Sequence, residues 1–387
     1  MQKYKVKIKK KFKKEKVMAE VKKPSMLVAV LLTIAAGVLP IACLGEEANS
    51  IDYVELFEKG LGECSEFRNP YAGIVLFIPG PSTDKDKYVF EPIHGLDDPN
   101  AVPFLIDVLE NGPYWLPKEK HHFAKCYAAV SLGATHDSRA LLPLIKAIET
   151  IDEKENDEYI ARFAVYGLSL LEDPNVVNLL IAVLEDKRGV VRHTAVRSLG
   201  DLGVFQAIKP LTEHLLNLKK SKLDSNSVEH TDEKKALLAK IAENRYRQTV
   251  THYGEAIAKI AKMKIEYKEL SDVQFWSDWW QNGAKFTEQR FNAIYSKWKN
   301  EKETDRPKYV VRKQFFKMID LGIPALPFMV EKVKRGEIEF IPAISKLTDG
   351  KLKKGATQAE CLEWWNKNKQ KWLIPFGEKL RVGVDKL

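Results

Sequence analysis

The sequence predicts an all-α protein, an α-solenoid of about four helical hairpins followed by a tryptophan-rich helical extension. Three observations carry this prediction. A twelve-residue phrase recurs four times. An apolar second helix follows each copy, so every copy is one supersecondary unit that buries its face against its neighbours. Of the eight tryptophans, all but Trp115 lie beyond residue 274, in helical phrases of their own.

The chain opens on a basic head. Residues 1–26 hold eleven lysines against Glu15 and Glu20, and this alone accounts for the net charge of +9. The rest of the chain is neutral, so a basic footprint for nucleic acid on the folded part is absent and no nucleic-acid partner is expected. "MLVAVLLTIAAGVLPIACLG", residues 26–45, follows with no charge between Lys23 and Glu46. A positive region, an apolar run and then small residues read as a secretory signal, so residues 1–45 are expected to direct export to the periplasm or cell envelope. Three outcomes stay open for this segment: cleavage after Gly45, lipidation at Cys43 after "LPIA", or an uncleaved anchor over Leu27–Leu44. Met18 and Met26 are alternative starts, and only through this segment would the chain meet a membrane. Residues 46–97 are read as an N-terminal capping region.

The repeats occupy residues 98–264. "DPNAVPFLIDVL" from Asp98, "DSRALLPLIKAI" from Asp137, "DPNVVNLLIAVL" from Asp173 and "VFQAIKPLTEHL" from Val204 align without gaps. The aspartates suit the start of a helix, where a short carboxylate satisfies amides that lack an intrahelical partner. Leucine and isoleucine then recur at helical spacing.

Each second helix places a small residue, Ala128, Ala164, Ala195 or Ala256, four positions before Leu132, Leu168, Leu199 or Ile260. That spacing puts a small and a large apolar side chain on one face, so neighbouring helices can approach closely. Gly133 and Gly200 are expected at helix C-termini that need a left-handed residue. Together these phrases resemble HEAT-like repeats of the phycobilisome-lyase type over about residues 92–264, with "DPNVVNLLIAVLEDKRGVVRHTAVRSLGDLG" nearest the consensus. The resemblance implies a binding scaffold rather than chemistry. Family enzymes of the deoxyhypusine hydroxylase type carry paired His-Glu motifs, and no His-Glu dipeptide occurs here. No chromophore-handling residues can be placed for a bilin-lyase activity.

Residues 217–247 interrupt the fourth hairpin. Their first half reads as a polar loop, and from Thr231 as an extra amphipathic helix with Leu237, Leu238 and Ile241 on one side. The extension, residues 265–387, uses one plan twice: a repeat-like helix, a short linker, then a helix with paired tryptophans in "FWSDWWQN" and "ECLEWWNKNKQKW". This arrangement resembles exported bacterial HEAT-repeat proteins and implies architecture without chemistry. Trp276, Trp279 and Trp280 fall on one helical face, a stripe that reads first as the seam docking a capping helix onto the last repeat. Adjacent indoles point about 100° apart on a helix, so Trp279 and Trp364 are expected to stay partly exposed.

No catalytic, cofactor or metal site emerges. The chain lacks GxSxG, a phosphate-binding GK[ST] loop, CxxC and HExxH, and the neighbouring His121 and His122 diverge on a helix. Besides Cys43 only Cys64, Cys126 and Cys361 remain, enough for one disulfide at most. Tyr166 and Arg197, each two positions after an aligned alanine, are candidates for a surface that meets a protein partner. The expected function is therefore a non-catalytic protein-interaction scaffold of the cell envelope, with no cofactor. The alternative is a carbohydrate or cell-wall binder that stacks sugars on Trp279 and Trp364.

Overall fold

The computed structural model describes residues 51–65, 96–150, 157–218, 232–304, 307–374 and 376. The chain divides into two compact units, 1–56 and 57–387. The segment expected to direct export and most of the capping region lie outside the described residues. Asp52 opens helix α1 (Tyr53–Ser65) by accepting from the amides of Val54 and Glu55 at 3.0 and 3.1 Å.

In the second unit every described regular element is a helix. The first helices of the four hairpins are α2 (Val102–Asn111), α4 (Leu141–Glu149), α6 (Val176–Val183) and α8 (Ile208–Leu218). Each packs on its second helix, α3 (Lys118–Ala134), α5 (Asp157–Leu170), α7 (Gly189–Leu202) or α9 (Asp232–Ile260). The second helices then pack in succession, α3 on α5, α5 on α7 and α7 on α9. This is an all-α solenoid of helical hairpins.

The start of each first helix follows from its phrase. Asp98, Asp137 and Asp173 accept from the amide two residues ahead at 2.9, 2.8 and 2.7 Å. Such caps contribute about 1 kcal/mol each. A 3-10 turn with a buried final alanine leads into α2, α4 and α8, at Ala101, Ala140 and Ala207. The aligned alanines and leucines of the second helices are likewise buried.

Gly133 and Gly200 do not terminate their helices, contrary to expectation. Both lie within helices, and the left-handed residues come later, at His136 (φ 52°) and Gly203 (φ 64°). Their role is contact between helices. A Cβ on Gly133 would sit 2.1 Å from the carbonyl oxygen of Gly167, and one on Gly167 would sit 2.3 Å from that of Ala129. One on Gly200 would meet Ala256 Cα at 2.9 Å. Glycine is therefore what lets α3 meet α5, and α7 meet α9, backbone to backbone.

The interruption of the fourth hairpin also differs from expectation. Residues 219–231 lie outside the described residues, but no separate extra helix follows them. From Asp232 the stretch runs straight into the second helix as the single 29-residue α9. No proline interrupts it, and its alanines, leucines, lysines and glutamates all favour helix. Leu237 and Ile241 are exposed.

The extension continues the same construction. After α10 (Tyr267–Leu270), α11 (Val273–Glu303) kinks at Gly283, where φ is 30° and ψ −101°. α12 (Lys308–Ile319), α13 (Leu326–Lys334), α14 (Ile341–Leu347) and α15 (Gln358–Trp372) follow. A 3-10 turn precedes α13 and another precedes α14, so "GIPALPFMVEKV" and "EIEFIPAISKLT" are two further copies of the repeat phrase. Ala325, Leu326 and Met329, and Phe340, Ile341 and Ile344, are buried at the aligned positions. Backbone bonds join this part to the fourth hairpin: Ile323 N–H donates to Ala261 O at 2.9 Å and Lys264 N–H to Asp320 O at 2.8 Å. Gly322, at φ 73°, permits the approach, because a Cβ there would lie 2.3 Å from Ala261 O.

Candidate interaction face

The sequence-predicted residues fall in two places. Tyr166 on α5 and Arg197 on α7 come together as neighbours, close enough for the Arg197 charge to act on the Tyr166 phenol. Trp279 and Trp364 lie on α11 and α15.

The tryptophan seam docks the extension. Trp276 is fully buried, and its Nε1 donates to the Leu270 carbonyl at 3.1 Å. Gly254 of α9 makes the room, since a Cβ there would lie 2.8 Å from Trp276 Nε1. Trp279, expected to be partly exposed, is instead only 1% accessible, and Trp280 is buried as well. The cover comes from Phe376, whose ring lies 5.1 Å from that of Trp279 and packs against the bare backbone of Gly283. Trp364 is half-buried, 6.5 Å from buried Trp365 and 6.3 Å from Trp372, which in turn meets Phe205 edge-on at 6.0 Å. The two indoles proposed as a sugar-stacking platform therefore do not form one, because Trp279 is enclosed.

Around Tyr166 and Arg197 the second helices present a continuous row of polar side chains. From α5 come Tyr159, Arg162 and Tyr166; from α7 His193, Arg197 and Asp201; from α9 Thr249, His252, Glu255 and Lys259. Along α5 and α7 the spacings are three and four residues, which stacks the side chains on one helical face. Arg162 and His193 stand two positions before the aligned alanines, as Tyr166 and Arg197 stand two after. On a helix both positions point away from the alanine. Sequence reasoning used only the second position and missed Arg162 and His193, although the same alignment marks them. His252 and Glu255, on α9, fall outside this register and were missed as well.

The row is linked by specific contacts. The His193 and His252 rings meet edge-on at 5.1 Å, and Thr249 Oγ1 lies 3.5 Å from His193 Nε2. His252 Nδ1 is buried with no hydrogen-bond partner. Asp201 bridges Arg197 at 3.8 Å and Lys259 at 2.5 Å. Burial pushes the His193 pKa down to about 4, helped by His252, Arg192 and Arg162. His252 is lowered too, by burial and then by Arg197, so both imidazoles are neutral at pH 7. Burial raises Tyr166 and Glu255, and in each case the Arg197 charge opposes the shift.

Other reactive groups are quiet. Cys126 and Cys361 are free and buried, and burial raises both thiols, Cys361 to about 11, which disfavours thiolate at neutral pH. His121 Nε2 donates to the Leu116 carbonyl at 2.9 Å, whereas His122 lies toward Cys126 and Tyr159. Among the described residues no three His, Cys, Asp or Glu side chains are grouped to hold a metal. Nor is any described helix long and apolar enough to cross a membrane.

Fold and face together define a class, an α-solenoid whose second helices present an open polar surface. Residues 143–223, from within α4 past the end of α8, match the family model for HEAT repeats. The match supports a HEAT-like repeat protein, in agreement with the hairpin architecture. No curated protein matches the chain.

Proposed function

We propose that this protein is a non-catalytic protein-interaction scaffold of the cell envelope, and that its partner docks on the second-helix face. One observation carries the reading. The row from Tyr159 to Lys259 is polar, aromatic and partly exposed, while the alanines and leucines of the same helices do the packing. HEAT repeats commonly serve as protein-interaction scaffolds, which fits an open face of this kind.

The test is capture from envelope extract by the immobilised chain. The account expects a defined protein to be enriched, and Arg197→Glu to reduce the yield severalfold. Capture that does not reproduce, or that is indifferent to this substitution, counts against it. The envelope assignment rests on the basic head and the apolar run at 26–45. Expression in a bacterial host should yield a soluble periplasmic chain whose intact mass begins at Glu46. A full-length chain in the cytosol would refute the export reading.

A further inference from the structure

Helix α12 carries Lys308, Arg312, Lys313 and Lys317 and no acidic residue, in a chain that is neutral from residue 27 onward. All four side chains are exposed. Among the described residues none of the four is ion-paired, whereas Lys264, Lys299 and Lys302 of the adjoining segments are bound to Asp320, Glu337 and Glu339. The same helix exposes two aromatic rings, Tyr309 at 75% and Phe316 at 41% accessibility. At about 100° per residue these six side chains cover roughly half of the helix surface. Tyr309 and Phe316, seven residues apart, lie along its midline, with Lys308 and Arg312 on one flank and Lys313 and Lys317 on the other. The Arg312 guanidinium stands over the Phe316 ring at 5.4 Å. Gln314 and Met318 are buried on the opposite side, and Gln314 meets Glu301 of α11 there.

We propose that the outer face of α12 docks on the surface of an anionic lipid bilayer, with Tyr309 and Phe316 at headgroup depth and the four flanking cations on lipid phosphates. The contact is additional to the second-helix face and to residues 1–45, and it stands independently of the scaffold reading. Aromatic rings settle at the boundary between headgroups and acyl chains, where a ring can be half apolar and half wet. Long cationic side chains on either side can lay their stems along that boundary and hold their charges among the headgroups. Four unpaired cations match a surface that is negative everywhere, whereas a protein partner would need its carboxylates at four set positions. Nucleic acid fits less well. Aromatic platforms for single strands stack successive bases, and these two rings stand about 10 Å apart along the helix. No described helix is long and apolar enough to cross a membrane, so the contact is peripheral.

The experiment places an environment-sensitive fluorescent amino acid at position 309 of the full chain and titrates it with vesicles. Residues 1–26 are themselves basic, so a readout on α12 rather than sedimentation isolates this contact. Vesicles of phosphatidylcholine with one-third phosphatidylglycerol should shift the emission to the blue, and phosphatidylcholine alone should not. Raising the salt should reverse the shift, because exposed charges are screened. Loss of each cation should weaken binding about fivefold. The pairs Lys308→Gln with Arg312→Gln and Lys313→Gln with Lys317→Gln should therefore each weaken it about thirtyfold. All four side chains are exposed, so these variants keep the fold. Lys118→Gln with Lys120→Gln removes two exposed charges from α3 and should leave the titration unchanged. The proposal is overturned by equal shifts on the two kinds of vesicle, by an equal loss in the α3 variant, or by vesicle binding with no shift at position 309. It is overturned as well by a stronger response to a single-stranded deoxyoligonucleotide or to a glutamate decapeptide.

Discussion

Gly133, Gly167 and Gly200 decide how closely the second helices pack, and each is opposed by backbone rather than by a yielding side-chain tip. Gly167→Ala must push α5 away from Ala129, an overpacking that costs about 2–3 kcal/mol of unfolding free energy. Gly189→Ala, where a Cβ meets nothing within 4 Å, should stay within about 1 kcal/mol of the parent. Guanidinium chloride denaturation compares the two, and equal midpoints would show that the helices do not meet as described. The alanine-leucine spacing made the apolar face of these helices legible in the sequence. The glycines were misread because a helix-terminal glycine and a crossing-point glycine look alike until the partner helix is in place. His193 supplies a second test. Its pKa of about 4 lies below the ordinary 6.5, so between those values the unfolded chain takes up a proton that the folded chain does not. Stability from this group therefore falls as pH drops through that window, by about 3 kcal/mol at most. His193→Gln should show a shallower loss than the parent between pH 7 and pH 4, and matching slopes would contradict the burial of this ring.

Among the elements, α11 is where the extension grips the solenoid. Trp276→Ala removes a fully buried indole and should cost about 3–5 kcal/mol, lost first from the packing of α10 and α11 on α9. Phe376→Ala should uncover Trp279, shifting tryptophan emission to the red and raising its quenching by acrylamide. Unchanged emission would show that Phe376 is not the cover. The helical periodicity of "FWSDWW" revealed the buried stripe but not this lid, because Phe376 lies almost a hundred residues further along the chain. The long α9 was missed for a related reason. A polar first half and an apolar-looking second half suggest separate elements, whereas uninterrupted helix propensity makes one. The fifth and sixth repeat phrases were present in "GIPALPFMVEKV" and "EIEFIPAISKLT". Their glycine and glutamate stand where aspartate opens the first three copies, which hides the alignment.

For the whole molecule, the solenoid was legible from the spacing of its phrases, while the face was legible only in part. Tyr166 and Arg197 follow from the repeat register, but the meeting of His193 with His252 joins α7 to α9 across the interruption of the fourth hairpin. No local pattern spans that distance. The partner proposed for this protein is assigned to the second helices, whose polar row is partly exposed. The most direct test places a photo-crosslinking residue at Tyr166 in one full-length variant and at Lys209 in another, with each irradiated in envelope extract. The account predicts a discrete heavier adduct from position 166, diminished by Arg197→Glu, and none from position 209. An adduct from position 209 alone, or equal adducts from both, would contradict the assignment of the second-helix face as the place where this protein binds.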